Sequence, residues 1–369
     1  MADDDASEAK KTRKNHHSVA WKQRRSVDVL INRNTCWGKA KEHLLDDVLS
    51  KIFLKFAAQY LHNVIRLVCK EWYLVIRSQS FTHHHARNSG CGLIIQDRSF
   101  PNDGIYVEIR QGSIEISKCA VGYLVWSSCN GLVLVPDFRD VGVLSVVNTL
   151  TKHRIALPPI SGSYSEFVLA FVEASMKYKV VHKPSSWKMQ LEVMTIGVDS
   201  VWRRIDIKNV PREAMEDLMP SSLVTGAYIN WIGTSFVLTF SVETETFCRF
   251  PFPQSREERG TFLAMGNNLS VVYKSSPDVL KDVWEMDPKT GKWTMLHKFD
   301  YQLQIHSLER ITPFGWLVAR EVLVFGSCDI QTHCIAYNLK TREIQSFDLD
   351  KRGGDYHFQA HVNSLVRLE

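Results

Sequence analysis

Two places in this chain hold residue types that could ligate a metal: the unbroken triplet His83-His84-His85, and the group Cys328, His333 and Cys334. Zinc needs ligands spaced to converge, whereas adjacent side chains on a helix or strand diverge. The triplet is therefore expected at a solvated helix end and the Cys-His-Cys group in a structural role flanking a strand, so neither a metal nor a cofactor is expected. Other chemistry lacks its signatures. The sequence holds no G-x-G-x-x-G, no G-x-x-x-x-G-K-[ST] and no G-x-S-x-G, so nucleotide binding and a serine nucleophile lose their usual support. No catalytic residue is expected.

The composition points to a folded chain rich in strands. Of 369 residues, 44% are hydrophobic, enough to bury a full core. The ten Trp, eighteen Phe and eleven Tyr lie in short apolar runs, which favours many strands. Trp202, Trp231, Trp284, Trp293 and Trp316 sit in such runs and are expected mostly in the core, although a Trp on a rim would be a strong binding anchor. The eight cysteines form no C-x-x-C pair and read as reduced and structural. No apolar run reaches membrane-spanning length, and Met1-Ala2-Asp3-Asp4-Asp5 has no signal-peptide character. A soluble protein of the nucleus and/or cytoplasm, with no membrane partner, is expected.

The charge of +5 is unevenly placed, because ten Lys or Arg against the single acidic Asp28 lie between Lys10 and Lys41. Residues 1–41 read as a disordered basic leader. Its clusters Lys10, Lys11, Arg13, Lys14 and Lys22, Arg24, Arg25 resemble a bipartite nuclear import signal, with a plain solvated tail as the alternative. The remainder is near neutral, so nucleic acid is not an expected partner.

From Leu44 the pattern becomes helical. Apolar residues at 45, 48, 49, 52 and 53 share one helix face, with Asp46 and Asp47 in the first turn, where carboxylates oppose the helix dipole. After a break at Ala57-Ala58-Gln59, a second run passes through Leu61, Val64, Ile65, Val68 and Trp72. A helical domain over residues 42–88 this small has little core of its own and needs a partner or a neighbouring domain. From residue 89 to 369 the chain reads as strands cut by turn residues. One frame recurs: a short polar residue, then Thr three on and a large apolar residue six further. It occurs at Asn148, Thr151, Leu157; Ser241, Thr244, Phe250; Asp287, Thr290, Leu296; and Asn338, Thr341, Phe347. Each predicts a hairpin whose polar side chain accepts a backbone hydrogen bond. A degenerate copy, Leu191 to Ile205 with Val198-Asp199-Ser200 as its turn, fills the gap between the first two. The period of about 46 residues predicts about six propeller blades, with a tandem β-sandwich as the alternative.

These residues carry a family resemblance. Leu44-Leu45-Asp46-Asp47-Val48-Leu49 through Val68-Cys69-Lys70-Glu71-Trp72 resembles an F-box. Ser128-Cys129-Asn130-Gly131-Leu132, Asn148-Thr149, Leu157-Pro158-Pro159, Val201-Trp202-Arg203-Arg204-Ile205 and His361-Val362-Asn363-Ser364-Leu365-Val366 are similar, in that order, to the kelch-like F-box-associated domain of plant F-box proteins. The resemblance implies a three-helix hook on an α+β multidomain chain. The hook would dock on a Skp-type adaptor and through it a cullin, while the β domain would bind an unidentified protein substrate. Leu44, Leu45, Asp46, Val48, Leu49, Ile52, Phe53, Leu61, Val64, Val68, Cys69 and Trp72 would form the adaptor site, with Val68, Cys69 and Trp72 holding the helices together. The family usually has Pro at the positions of Leu45 and, roughly, Ala57. A propeller enzyme or glycan-binding module with the helices as a cap is the alternative reading.

Overall fold

The computed structural model describes residues 47–119, 121–137, 143–160, 166–184, 190–207, 210–211, 217–219, 221–253, 259–275, 279–299, 311–327, 333–349 and 355–368. The basic leader, Leu44, Leu45, Asp46 and Cys328 lie outside these residues. Four short helices come first: α1 (47–53), α2 (Ala58–Asn63), α3 (Lys70–Arg77) and α4 (Gln79–Asn88), with a 3-10 turn at Ile65–Leu67 ahead of α3. The break after α1 falls at 54–57, earlier than expected, and Ala58 already opens α2.

Six four-stranded antiparallel sheets follow. Blade 2 is typical: Ser127–Cys129, Leu132–Pro136, Leu144–Asn148 and Arg154–Ala156, in chain order from the innermost strand outward. Blades 3 to 6 repeat this order, with innermost strands Glu166–Val172, Ser222–Thr225, Arg259–Met265 and Ile311–Val318. Blade 1 differs, because its innermost strand is Tyr356–His361, paired with Gly92–Asp97 in the register Gly92 opposite His361. The innermost strands neighbour one another all the way round, so strand 356–361 closes a six-bladed ring. Six separate sheets in a ring are a propeller, which overturns the tandem-sandwich alternative.

Burial follows strand position. The second strand of blade 2, Leu132-Val133-Leu134-Val135-Pro136, is buried throughout because its two faces are covered by neighbouring blades. An outer strand such as Ser113–Lys118 is largely exposed. Adjacent blades are also tied at their outer edges. Trp202 Nε1 donates to the Pro158 carbonyl at 3.0 Å and Trp293 Nε1 to that of Pro251 at 2.8 Å. By contrast, Trp231 and Trp316 are fully buried.

All four frames close the third-to-fourth strand turn of a blade. Asn148 Oδ1 accepts from the amides of Leu150 and Thr151, both at 2.9 Å, and Asn338 Oδ1 accepts from Lys340 and Thr341 at 2.9 and 3.0 Å. Asp287 accepts from the Lys289 amide and the Thr290 hydroxyl, and Ser241 from the Thr244 amide. The fourth residue after each frame start, Lys152, Glu245, Gly291 or Arg342, has φ between 57° and 70°. Its amide returns to the carbonyl of the frame's first residue. The degenerate copy is the blade 3 turn, where Asp199 accepts from the Thr195 amide at 2.7 Å.

Candidate functional site

The helical unit has an inner and an outer surface. Phe53, Ala58, Leu61, Ile65, Val75, Ile76 and Phe81 form its core, with Leu49 and Trp72 partly buried against them. The Phe53 ring meets Trp72 edge-on at 5.2 Å. Cys69 takes the position usually held by Ser, Thr or Asp, its Sγ accepting from the Trp72 amide at 3.5 Å to cap α3. Ser78 caps α4 by accepting from Phe81.

On the outer surface Val48, Ile52, Phe56, Tyr60, Val64 and Val68 fall at four-residue steps and are all exposed, as is Leu67, with fractional exposures from 38% (Phe56) to 71% (Leu67). The Phe56 and Tyr60 rings lie 5.5 Å apart. So dense a set of exposed large apolar side chains marks an interaction surface. The sequence-expected site residues thus divide. Val48, Ile52 and Val64 are on this ridge. Phe53 and Leu61 are buried and have no surface to offer, Leu49 and Trp72 pack against their core, and Cys69 serves as the cap of α3. Val68 does not hold the helices together, because α3 begins only at Lys70 and leaves it in the preceding turn, facing solvent. Phe56, Tyr60 and Leu67 were missed, although the four-residue step from Val48 pointed to Phe56 and Tyr60; Leu67 lies off that step.

The His triplet is not a solvated helix end. His83 and His85 are buried while His84 faces outward. His83 stacks on Phe171 of blade 3 with centroids 4.9 Å apart, and His85 Nε2 lies 2.8 Å from the Phe56 carbonyl. Burial holds both imidazoles below the ordinary His range, with Arg87 adding to the effect at His83. Arg87 pairs with Glu173 at 2.7 Å, and Ala86 enters the core shared by blades 2 and 3. The helical unit therefore sits on the ring face bearing the third-to-fourth strand turn of blade 2 and the first-to-second turn of blade 3.

A second convergence lies beside it. The segment after strand 356–361 is pinned to blade 2 by residues from three landmarks. His361 Nδ1 lies 2.8 Å from Ser128 Oγ and its Nε2 2.9 Å from Thr149 Oγ1. Asn148 Nδ2 donates to the carbonyls of Ser364 and Val366, and Ser364 Oγ donates to that of Asn130 at 2.6 Å. Gly131, at φ 83°, leaves room for Ser364, since a Cβ there would lie 2.1 Å from the Ser364 Oγ. Ser128 and His361 have the separation of a nucleophile and its base. The second ring nitrogen, however, meets a hydroxyl rather than a carboxylate, and the ring is buried, so the pair acts as a structural pin. Burial lowers the His361 pKa to about 3, which keeps the ring neutral, able to donate one hydrogen bond and accept the other.

Among the described residues no group of His, Cys, Asp and Glu is arranged to hold a metal, and no helix is long and apolar enough to cross a membrane. Cys334 is buried, and burial pushes its thiol and that of Cys129 up to about 12. A shallow cleft opens between blades 6 and 1, lined by Ile95, Asp97, Phe100, Asp103, Ile105, Leu349 and Tyr356.

Comparison with known proteins agrees with both parts of the chain. Residues 42–84 match the F-box domain, and residues 100–310 match the KIB1-4 beta-propeller. The second match names a propeller family other than kelch and spans more than half of the chain. No curated protein matches. Among solved structures, the crystal structure of TolB from Acinetobacter baumannii aligns with a TM-score of 0.46 and 12% identity, covering 80% of this chain and 71% of that one. This chain accordingly belongs to the KIB1-4 β-propeller family and carries an F-box domain ahead of its propeller, the architecture of plant-type F-box proteins.

Proposed function

We propose that this protein is the non-catalytic substrate-recognition subunit of an SCF-type cullin ubiquitin ligase. The helical unit would bind a Skp-type adaptor and the propeller a protein target. The observation that carries this reading is the exposed ridge from Val48 to Val68 on an F-box domain whose other large apolar residues are mostly spent on its own core. Full burial of each ridge side chain contributes roughly 1.5–3 kcal/mol, so a few together suffice for a stable complex. The target surface is proposed on the ring face away from the helices, where Phe100 and Met219 are exposed. Holding a target near a charged conjugating enzyme raises the effective concentration of its lysines, which is the only rate contribution asked of this subunit.

The test is adaptor capture by full-length wild type and by Val48→Asp/Ile52→Asp. These residues are exposed, so the variant should fold normally, whereas an aspartate at Leu49 would disturb the core. Capture by wild type and loss in the variant support the proposal; no capture by folded wild type refutes it. Affinity purification with mass spectrometry on the same pair would identify targets as proteins retained by the variant while adaptor and cullin disappear.

A further inference from the structure

The segment that closes the ring also completes the helical unit. Leu365 and Val366 are adjacent and both buried, but in different cores. Val366 packs with Leu132, Leu134 and Tyr178 of blades 2 and 3. Leu365 packs with Phe53, Leu61, Ile65 and Phe81 of the helices. The pins that fix this segment, from Asn148, Asn130, Ser128 and Thr149, all come from the propeller. Leu150, two residues beyond Asn148 and held by its Oδ1, likewise packs against the helical core.

We infer that closure of the propeller ring is coupled to formation of the F-box helical unit through Leu365, so that the outer ridge is presented in its binding form only on a closed ring. A unit this small has too little core to hold its shape alone. Its missing contribution comes from a residue that synthesis reaches after all six blades have been made. An unclosed propeller then leaves the helical core open at Leu365 and the ridge unsupported, which keeps an incompletely folded target-binding domain from being recruited. This coupling rests on the proposed function only for its consequence in adaptor binding; the structural link stands apart from it.

Amide hydrogen exchange on the full chain tests it. Leu365→Ala removes side-chain contact with the helices alone, and Ser128→Ala weakens the pin at His361 without touching the helical core. Leu365→Ala should speed exchange in residues 47–88 at least tenfold while strand 356–361 changes less than threefold. Ser128→Ala should speed exchange in both segments together. The inference is overturned if Leu365→Ala leaves the helices within twofold of wild type, or if Ser128→Ala loosens strand 356–361 with the helices unchanged. Adaptor capture, run in parallel, should fall at least fivefold for Leu365→Ala despite its intact ridge. If wild type captures no adaptor while the exchange results hold, the ligase reading fails and the coupling remains.

Discussion

Asn148 and Asn338 offer a matched pair within one molecule, and Asn148→Ala against Asn338→Ala measures what the ring-closing segment contributes. Both asparagines start the same turn frame and accept two amides through Oδ1 at nearly equal distances. Only Asn148 also donates to the carbonyls of Ser364 and Val366, at 3.0 and 2.8 Å, and it is fully buried where Asn338 is half-exposed. Net loss of a hydrogen bond that water can replace costs about 0.5–1.5 kcal/mol, and stranding a buried group costs about 1–3. Asn338→Ala should therefore lose about 1–2 kcal/mol. Asn148→Ala, which strands groups on both the turn and the closing segment, should lose about 4–5 kcal/mol. With an unfolding entropy of about 2.1 cal/mol/K per residue over about 320 residues, these become Tm decreases of roughly 2 °C and roughly 6–7 °C. Thermal melts by circular dichroism at neutral pH read both. Equal decreases, within about a degree, would show that Asn148 matters only as a turn residue and that closure gains nothing from it.

Further outcomes follow from the same geometry. Gly131→Ala should cost about 3 kcal/mol, because its Cβ would meet Ser364 at a left-handed position; Gly266→Ala, at φ 62° with its Cβ at an ordinary contact distance of 3.9 Å from Ala319 Cβ, should cost about 1 kcal/mol, and denaturant titration separates them. Wild type should lose stability as pH falls from about 6.5 towards 3. His361 is neutral in the folded ring and takes up a proton on unfolding, contributing a slope of about 1.4 kcal/mol per pH unit; Tm against pH should show a shallower acid limb for His361→Gln. Burial also lowers the pKa of His83, His85, His182 and His357, which steepens the decline in the same direction. Val48→Asp/Ile52→Asp should weaken adaptor binding roughly 30- to 1000-fold with Tm unchanged within about 1 °C, read by titration calorimetry. Ala57 lies at φ −61°, where Pro fits, so Ala57→Pro should stabilise the start of α2 by up to about 1 kcal/mol, seen as slower exchange in residues 58–63.

Much of the ring was legible because its turns are closed by local chemistry. Asn148, Ser241, Asp287 and Asn338 each bond to their own next few residues, so four sequence copies became four hairpins. Blade 1 left no such mark. Its hairpin turns tightly at Gln111-Gly112, both at positive φ, and its innermost strand is supplied from residues 356–361, a pairing no local window contains. The ridge was half visible, because helical periodicity shows which residues share a face but not which face the rest of the molecule covers. The same limit explains His83 and His85: nothing near them in the sequence announces Phe171, 88 residues beyond His83. His361 to Val366 stood out as a landmark, yet its meaning depended on Asn130 and Asn148, more than two hundred residues earlier.

The indole ties at the blade edges give the protein two kinds of intrinsic optical reporter. Trp202 and Trp293 are half-exposed with their N–H groups bound across a seam, so parting of adjacent blades would wet them while each sheet stays intact. Trp231 and Trp316, sealed inside, also donate across seams, to Glu166 of blade 3 and to Ser270 of blade 5, so they would shift to red emission only when a seam opens as far as its core. Single-tryptophan variants could therefore resolve whether a seam of this ring frays at its outer edge before it opens at its core.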